Sequence, residues 1–338
     1  MILLRAFPNS GPNSGPGPRP VLSSIALHSV AVHSVADPVA PDRSASRIVD
    51  APGALAVWHM ASLDAPTVAI VWTLGFARAA GVHLPTWAPV IVGLVTWAVY
   101  IGDRLLDARS ALAAMQPSRL RHRHRFHWRH RRLLCLLAVL SALAGLAIIV
   151  AFVPAAARAR GAALGLATVA YFSGVHTRRN SGSWLDWLPM PDRFLERLPF
   201  KRLGNELLVA SMFTCGCMLP VWPRAALLAT QLWPLALVAV FFMLLAWLNY
   251  HAICRWEANA RAGHITTAGL MLALVGVVVA GVIAAGHPSA AMLIGLGAGS
   301  AVLLAMLDQN RNWLTPLALR ASADLVLLLP LIAVGLRQ

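Results

Sequence analysis

The sequence predicts an all-α integral membrane protein, a bundle of about nine transmembrane helices. The chain of 338 residues is 58% hydrophobic and only 12% charged, whereas soluble domains average roughly 25% charged residues. Its apolar residues form repeated runs of about 17–25 residues, the length that crosses a bilayer as a helix. The runs do not alternate polar and apolar residues at a period of two, so the pattern favours helices over a β-barrel.

The apolar runs divide the chain into two parts. Residues 1–52 include the low-complexity stretch "PNSGPNSGPGPRP", which is typical of a disordered cytoplasmic tail. A start codon assigned too far upstream would explain this segment equally well. Residues 53–338 form the predicted membrane domain. Its nine spans are expected near 56–78, 86–106, 133–153, 160–176, 205–222, 229–251, 265–285, 289–307 and 317–336.

The basic residues predict the orientation of the chain. The breaks after the even-numbered spans together hold 17 of the 28 lysines and arginines, eight of them in the break at 108–132. Because cytoplasmic loops are enriched in Lys and Arg, we expect a multi-pass protein of a bacterial inner membrane with its N-terminus cytoplasmic and its C-terminus outside. This bias also accounts for the net charge of +15 without nucleic-acid binding. The histidines of "RLRHRHRFHWRHRR" lie among arginines that would repel a metal ion, so this stretch is interpreted as a loop against anionic headgroups.

Polar residues close two of the predicted spans on the same side of the membrane. Asp103 and Asp107 end the second span and, four residues apart, share one helix face. Asn249, Ile253 and Glu257 end the sixth span at the same spacing. Carboxylates on facing helices can hold Mg²⁺, which keeps several waters and bridges to substrate phosphates. With an apolar cavity between the helices for a hydrocarbon tail, the pattern indicates a site for a lipid diphosphate.

At these residues the chain resembles the UbiA superfamily of membrane prenyltransferases. That family has nine transmembrane helices and two aspartate-rich motifs, which follow the second and sixth helices. Its first motif reads roughly N-D-x-x-D-x-x-x-D. Asp103 and Asp107 match the last two aspartates of this motif, whereas Val99 and Tyr100 stand at its first two positions.

The second family motif has the frame N-x-x-x-D-x-x-x-D. Asn249 matches it, Ile253 replaces the central aspartate, and Glu257 conservatively replaces the last one. The following "RAGHITT" is similar to the ending that this motif often has. The stretch "LPFKRLGNELLVASMFTCG" is similar to the entry to the family's fifth helix, which implies that Lys201 and Arg202 face the diphosphate.

The resemblance implies an Mg²⁺-dependent prenyltransferase that moves an isoprenoid chain from a prenyl diphosphate to a lipophilic acceptor. Asp103 and Asp107 would be catalytic, and Lys201, Arg202 and Asn249 would bind the substrate. The implied metal ligands are Asp103, Asp107, Asn249 and Glu257. The substitutions at Val99, Tyr100 and Ile253 favour an alternative, a non-catalytic protein of this fold that binds lipid or scaffolds a membrane complex. A small-solute transporter ranks lower, because the sequence has no evident inverted repeat.

The acids also have simpler interpretations as partners in ion pairs or hydrogen bonds. Asp103 and Asp107 could pair with Arg104 and Arg109, and Glu257 with Arg261 one turn later. Asp64, near the inner end of the first span, is expected to be either a buried hydrogen-bond partner or a ligand. Asp324 lies one turn from Arg320 in the last span, so we expect an intramembrane ion pair between them.

Overall fold

A computed structural model describes residues 53–113, 122–177, 200–227, 232–258, 260 and 263–335 of the chain. The predicted tail at 1–52 lies outside these residues. So do residues 178–199, which make up most of the basic break between the fourth and fifth predicted spans. The regular elements of the described part are all helical. They are α1 (Gly53–Met60), α2 (Asp64–Ala79), α3 (Trp87–Ala113), α4 (His122–Arg129), α5 (Arg131–Phe152), α6 (Ala155–Thr177), α7 (Phe200–Met218), α8 (Trp222–Ala225), α9 (Leu232–Glu257), α10 (His264–Ile283), α11 (Pro288–Gln309), a 3-10 turn (Arg311–Trp313), α12 (Pro316–Val326) and α13 (Leu331–Gly335).

Helix covers most of each predicted span in the described residues, although turns at 327–330 divide the last span between α12 and α13. In the described part of the chain, five helices are suited by length and composition to cross a membrane, namely α3, α5, α9, α10 and α11. The bent pair of α1 and α2 would make a sixth if it is one span. The prediction of an all-α fold is therefore confirmed for the described residues, and several of their helices are long and apolar enough to cross a membrane. The count of nine spans stays a prediction.

The first predicted span is not one continuous helix, because α1 and α2 meet at an angle of 89°. At the break, Ser62 has a φ of 57°, a left-handed conformation that is uncommon outside glycine. The Trp97 indole of α3 donates a hydrogen bond to the carbonyl of Ala61 at 3.0 Å. The Ser62 hydroxyl lies 3.1 Å from Nε2 of His127 on α4, and both residues are buried. Neighbouring helices thus hold the bend. Because residues 122–129 form helix α4, the interpretation of the histidine-rich stretch as a loop is wrong for these residues.

Helix α2 lies at the centre of the bundle, where it contacts α3, α7, α9, α11, α12 and α13. Its Trp72 is fully buried and stacks on Phe242 of α9, with 4.0 Å between ring centroids. The Trp72 indole also donates to the carbonyl of Leu327, just after α12, at 3.0 Å. Thr73 donates to the carbonyl of Cys217 on α7 at 3.1 Å. Aromatic stacking and buried hydrogen bonds therefore fix α2 against both α9 and the C-terminal helices.

Small residues let α10 and α11 pack closely. A Cβ at Gly269 would lie 2.8 Å from the backbone oxygen of Ala301 on α11. A Cβ at Gly276 would lie 2.7 Å from the ring of Phe241 and 2.9 Å from Cβ of Ala298. Close approach at small residues is the usual basis of helix association in lipid, where the hydrophobic effect does not drive it.

Substitution of Gly276 by alanine should destabilise the bundle. The added methyl group collides with the Phe241 ring, and overpacking of this kind typically costs about 1–3 kcal/mol. Gly281→Ala in the same helix is the matched control, since its Cβ would meet nothing within 4 Å and alanine favours helix by roughly 0.5–1 kcal/mol. Thermal unfolding in detergent should give a lower Tm for Gly276→Ala and an equal or higher Tm for Gly281→Ala. Equal Tm values for the two variants would contradict the packing.

Asp308 at the end of α11 joins three helices through its buried carboxylate. Oδ1 accepts a hydrogen bond from the Trp256 indole of α9 at 2.9 Å. Oδ2 accepts from the backbone N–H groups of Gly263 and Thr266 and from the Thr266 hydroxyl, at 3.0–3.1 Å. The carboxylate therefore caps the N-terminus of α10, where a negative charge is favourable. Gly263 and Thr266 belong to "RAGHITT", so this stretch has a structural role in the bundle.

We expect Asp308→Ala to lower stability by about 2–4 kcal/mol. The change leaves buried donors of Trp256 and the first turn of α10 without an acceptor, and each such group costs about 1–3 kcal/mol. The exposed neighbour Gln309 provides the control, since Gln309→Ala should change stability by less than about 0.5 kcal/mol. Differential scanning fluorimetry of the two purified variants checks the difference, and a Tm of Asp308→Ala equal to wild type would refute it.

Candidate functional site

Six buried polar side chains from five helices meet beside α2. This central polar cluster consists of His59 (α1), Asp64 (α2), Tyr100 and Arg104 (α3), Asn249 (α9) and Asp324 (α12). Ionisable groups within a membrane bundle are expensive to bury and are hypotheses for function by default. The cluster is therefore the candidate functional site of the described residues.

His59, Asp64 and Asp324 form the core of the cluster. Nδ1 of His59 lies 2.9 Å from Oδ2 of Asp64 and 3.9 Å from Oδ2 of Asp324. One ligand atom from each of the three side chains lies within 4.8 Å of the other two. Asp64 is fully buried in the first turn of α2, and its Oδ1 accepts from the backbone N–H of Ala65 at 3.0 Å.

Asn249 joins this core from α9 and leaves acceptor atoms open. Its side-chain N–H donates to Oδ1 of Asp324 at 3.0 Å. Within the described residues, Oδ1 of Asn249 and Oδ2 of Asp324 accept no hydrogen bond. Leaving a buried acceptor unsatisfied costs about 1–3 kcal/mol, so two of them at one place point to a ligand, an ion or water.

Tyr100 and Arg104 complete the cluster on the α3 side. The Tyr100 hydroxyl donates to Oδ2 of Asp64 at 3.4 Å and accepts a hydrogen bond from Nη2 of Arg104. The guanidinium lies over the Tyr100 ring, 4.7 Å from its centroid. Arg104 is buried, and its Nε and Nη1 donors have no partner in the part of the chain that the structure describes. A buried guanidinium in this state offers donors to an anion.

A cavity of about 70 Å³ lies beside the cluster. Tyr100, Asn249, Ile253, Asp324 and Phe213 are among the residues that line it. Of the predicted site residues only Asn249 lines this cavity, whereas Asp103, Asp107 and Glu257 are not among its lining residues. The volume is less than half of the about 150 Å³ that accommodates benzene in an apolar cavity, so it fits an ion with waters and does not enclose an isoprenoid chain.

Glu257 and Asp324 have partners that the sequence does not predict, while Arg261, the predicted partner of Glu257, lies outside the described residues. Glu257 forms an ion pair with Arg320 of α12. The expected pair between Asp324 and Arg320 is therefore wrong, since Asp324 faces His59 and Asn249 instead. One helical turn between Arg320 and Asp324 gives each side chain a different neighbour on α9.

Asp103 and Asp107 lie on α3, as predicted, with Asp103 buried and Asp107 half-buried. Both carboxylates lie close enough to Arg104 to interact electrostatically with it. Lys201 and Arg202 are in the first turn of α7, and their side chains lie outside the described part of the chain.

The four implied magnesium ligands do not form a compact ligand group in this conformation. Among the described residues, the group of histidine, cysteine and carboxylate side chains with metal-compatible spacing is His59, Asp64 and Asp324. Asp103, Asp107 and Glu257 are outside that group. Magnesium at the aspartate motifs stays a prediction from the resemblance.

Sequence reasoning missed His59 because it assumed an unbroken first span. On one continuous helix, His59 and Asp64 would be five residues, or about 140°, apart and would face different sides. The bend at Ser62 instead brings His59 over Asp64. The available signal was a lone histidine five residues before an aspartate in "VWHMASLD".

No family model matches the chain, and the comparisons with curated proteins and with solved structures also found no match.

The Glu257–Arg320 pair predicts a non-additive mutant cycle. Glu257→Met leaves the buried Arg320 guanidinium without its partner, which typically costs about 3–5 kcal/mol. Replacement of both residues by Met should restore most of that loss, because an apolar pair of similar size is often neutral. Tm values of Glu257→Met, Arg320→Met and the double variant measure the coupling between the two residues. Arg109→Met, which removes an exposed arginine, is the control for the loss of a positive charge. A double variant no more stable than Glu257→Met would contradict the pairing.

Proposed function

We propose that the chain is an intramembrane prenyltransferase of the UbiA type, which transfers an isoprenoid group from a prenyl diphosphate to a lipophilic acceptor. The observation that carries this proposal is the shared cavity, because Tyr100 of the first motif region and Asn249 and Ile253 of the second line it together. In such a reaction the allylic C–O bond breaks and its electron pair leaves with the diphosphate. The acceptor then bonds to the allylic carbon and loses a proton.

Arg104 supports the binding of a diphosphate near this cavity. Its open Nε and Nη1 donors lie in a buried position, where a charge-assisted hydrogen bond to phosphate is strong. Asp103 and Asp107 flank Arg104 in sequence and hold the places of the family's first-motif carboxylates. Lys201 and Arg202 are proposed to contact the diphosphate from α7. Where magnesium is bound in this family's chemistry, it neutralises the leaving diphosphate.

The size of the cavity sets a condition on the proposal. A volume of about 70 Å³ is too small for an isoprenoid chain. The proposed substrate therefore extends from the cavity along the lipid-facing side of the bundle, or the surrounding helices separate when it binds. The proposal further places the protein in a bacterial inner membrane with a cytoplasmic N-terminus, so the diphosphate would enter from the cytoplasmic side.

A non-catalytic protein that binds a lipid or scaffolds a complex is the second candidate. Its support is that both polar residues of the second motif bond to α12: Asn249 to Asp324, and Glu257 to Arg320. Ile253, at the central position of the second motif, lines the cavity without offering it a polar group. These residues hold helices together whether or not a reaction takes place.

Product formation in membranes tests the two candidates. Membranes that contain the full chain are incubated with labelled allylic prenyl diphosphates, Mg²⁺ and pooled quinone, haem and lipid precursors. The transferase proposal predicts a prenylated product that Asp103→Ala/Asp107→Ala lowers by at least about 100-fold, since loss of leaving-group stabilisation costs that much. The control is Arg109→Ala, which changes an exposed residue on α3 two positions after Asp107. This variant should retain the activity.

Two outcomes would count against the transferase. Unchanged turnover in the double aspartate variant would remove the proposed mechanism. Thermal stabilisation by a prenyl diphosphate without any product would instead favour the lipid-binding candidate.

A further inference from the structure

We propose that His59, Asp64 and Asp324, with the amide oxygen of Asn249, form a binding site for one transition-metal dication, Mn²⁺ or Zn²⁺. The carboxylates of the aspartate motifs, Asp103, Asp107 and Glu257, do not belong to the group with metal-compatible spacing, and Asn249 is the one motif position that the site shares. The inference depends on the geometry of the central polar cluster and does not rest on the proposed transferase activity.

The spacing of the three side chains suits one ion. Metal–ligand bonds of about 2.0–2.2 Å place neighbouring ligand atoms roughly 3–3.5 Å apart. Nδ1 of His59 lies 2.9 Å from one carboxylate and 3.9 Å from the other, and all three ligand atoms fall within 4.8 Å of one another. Small side-chain adjustments would bring them around a single ion.

The open acceptors provide the second observation. Asn249 and Asp324 are each more than nine-tenths buried and line the cavity. Oδ1 of Asn249 and Oδ2 of Asp324 accept no hydrogen bond from the described residues. An ion between His59 and these atoms would use both acceptors, and the cavity of about 70 Å³ leaves room for water to complete the coordination shell.

The charges of the cluster favour a cation at this position. Two carboxylates, Asp64 and Asp324, lie within 4.8 Å of each other in the bundle interior, where unpaired like charges are costly. The neighbouring cation, Arg104, is bonded to the Tyr100 hydroxyl, which in turn donates to Asp64. A dication between the carboxylates would neutralise both of them. The alternative is one proton shared by the two carboxylates, which would also relieve their repulsion.

The ligand types decide which ion fits. Imidazole nitrogen suits Zn²⁺ and other transition metals, whereas Mg²⁺ and Ca²⁺ prefer all-oxygen sites. One nitrogen with two carboxylates and an amide oxygen therefore favours Mn²⁺ or Zn²⁺ over Mg²⁺. Because the ligands come from α1, α2, α9 and α12, the bound ion would tie the two halves of the broken first span to α9 and the C-terminal helices.

Metal titration of the purified full chain tests the site. The protein in detergent is stripped with a chelator and titrated with Mn²⁺, and free Mn²⁺ is followed by electron paramagnetic resonance; Zn²⁺ and Mg²⁺ are then added as competitors. We expect one Mn²⁺ per chain, displaced by Zn²⁺ and not by equimolar Mg²⁺. Binding should weaken at least tenfold in His59→Gln and in Asp324→Asn. His83→Gln, at an exposed histidine, and Asp103→Asn, at the aspartate motif, are the matched controls and should change Kd by less than twofold.

A measurement on the unmutated chain guards against variants that fail to fold. Spin-echo modulation of bound Mn²⁺ should show a directly coordinated ¹⁴N, as the His59 ligand requires. Absence of stoichiometric binding would overturn the proposal in favour of a shared proton. Bound Mn²⁺ without a nitrogen ligand, or binding lost in Asp103→Asn but kept in Asp324→Asn, would also overturn it. None of these results depends on turnover, so failure here and failure of the transferase proposal are distinguishable.

Discussion

The bend between α1 and α2 is the constraint on which the rest of the site depends. Because of this bend, α2 lies in the middle of the bundle and α1 runs at 89° to it, so that His59 lies beside Asp64. The turn is held by hydrogen bonds from neighbouring helices to Ala61 and Ser62, and Ser62 keeps a left-handed conformation there. Strained backbone of this kind persists only where the surroundings fix it, and it is often found at functional sites.

A buried polar cluster at such a bend has consequences for both stability and chemistry. Asp64, Tyr100 and Asp324 are held by partners on different helices, so the cluster orders the bundle as well as lining its cavity. Asp308 performs only the first of these tasks, because both of its carboxylate oxygens accept hydrogen bonds from α9 or from the N-terminal end of α10. The difference lies in the open acceptors of Asn249 and Asp324. Those atoms make the central cluster a candidate site, whereas Asp308 is a helix cap.

Hydropathy alone was enough to predict the helices, whereas of the predicted site residues only Asn249 lines the cavity. Long apolar runs admit few alternatives to helix in lipid, and four-residue spacing places Asn249 and Ile253 on one face regardless of tertiary packing. Side-chain partners were less predictable. Local spacing favoured an Arg320–Asp324 pair, yet Arg320 faces Glu257 because helix packing across the bundle sets the neighbours. His59 could not be assigned, since nothing in the local hydropathy marks a bend of 89° at residues 61–63.

A structure of the full chain in lipid nanodiscs with Mn²⁺, determined by electron cryo-microscopy, tests the central claim most directly. The claim is that a broken first span assembles His59, Asp64 and Asp324 around one position at the cavity. The account predicts a bend near 90° between α1 and α2 and metal density between these three side chains. A continuous helix through residues 53–79, with His59 turned away from Asp64, would contradict it.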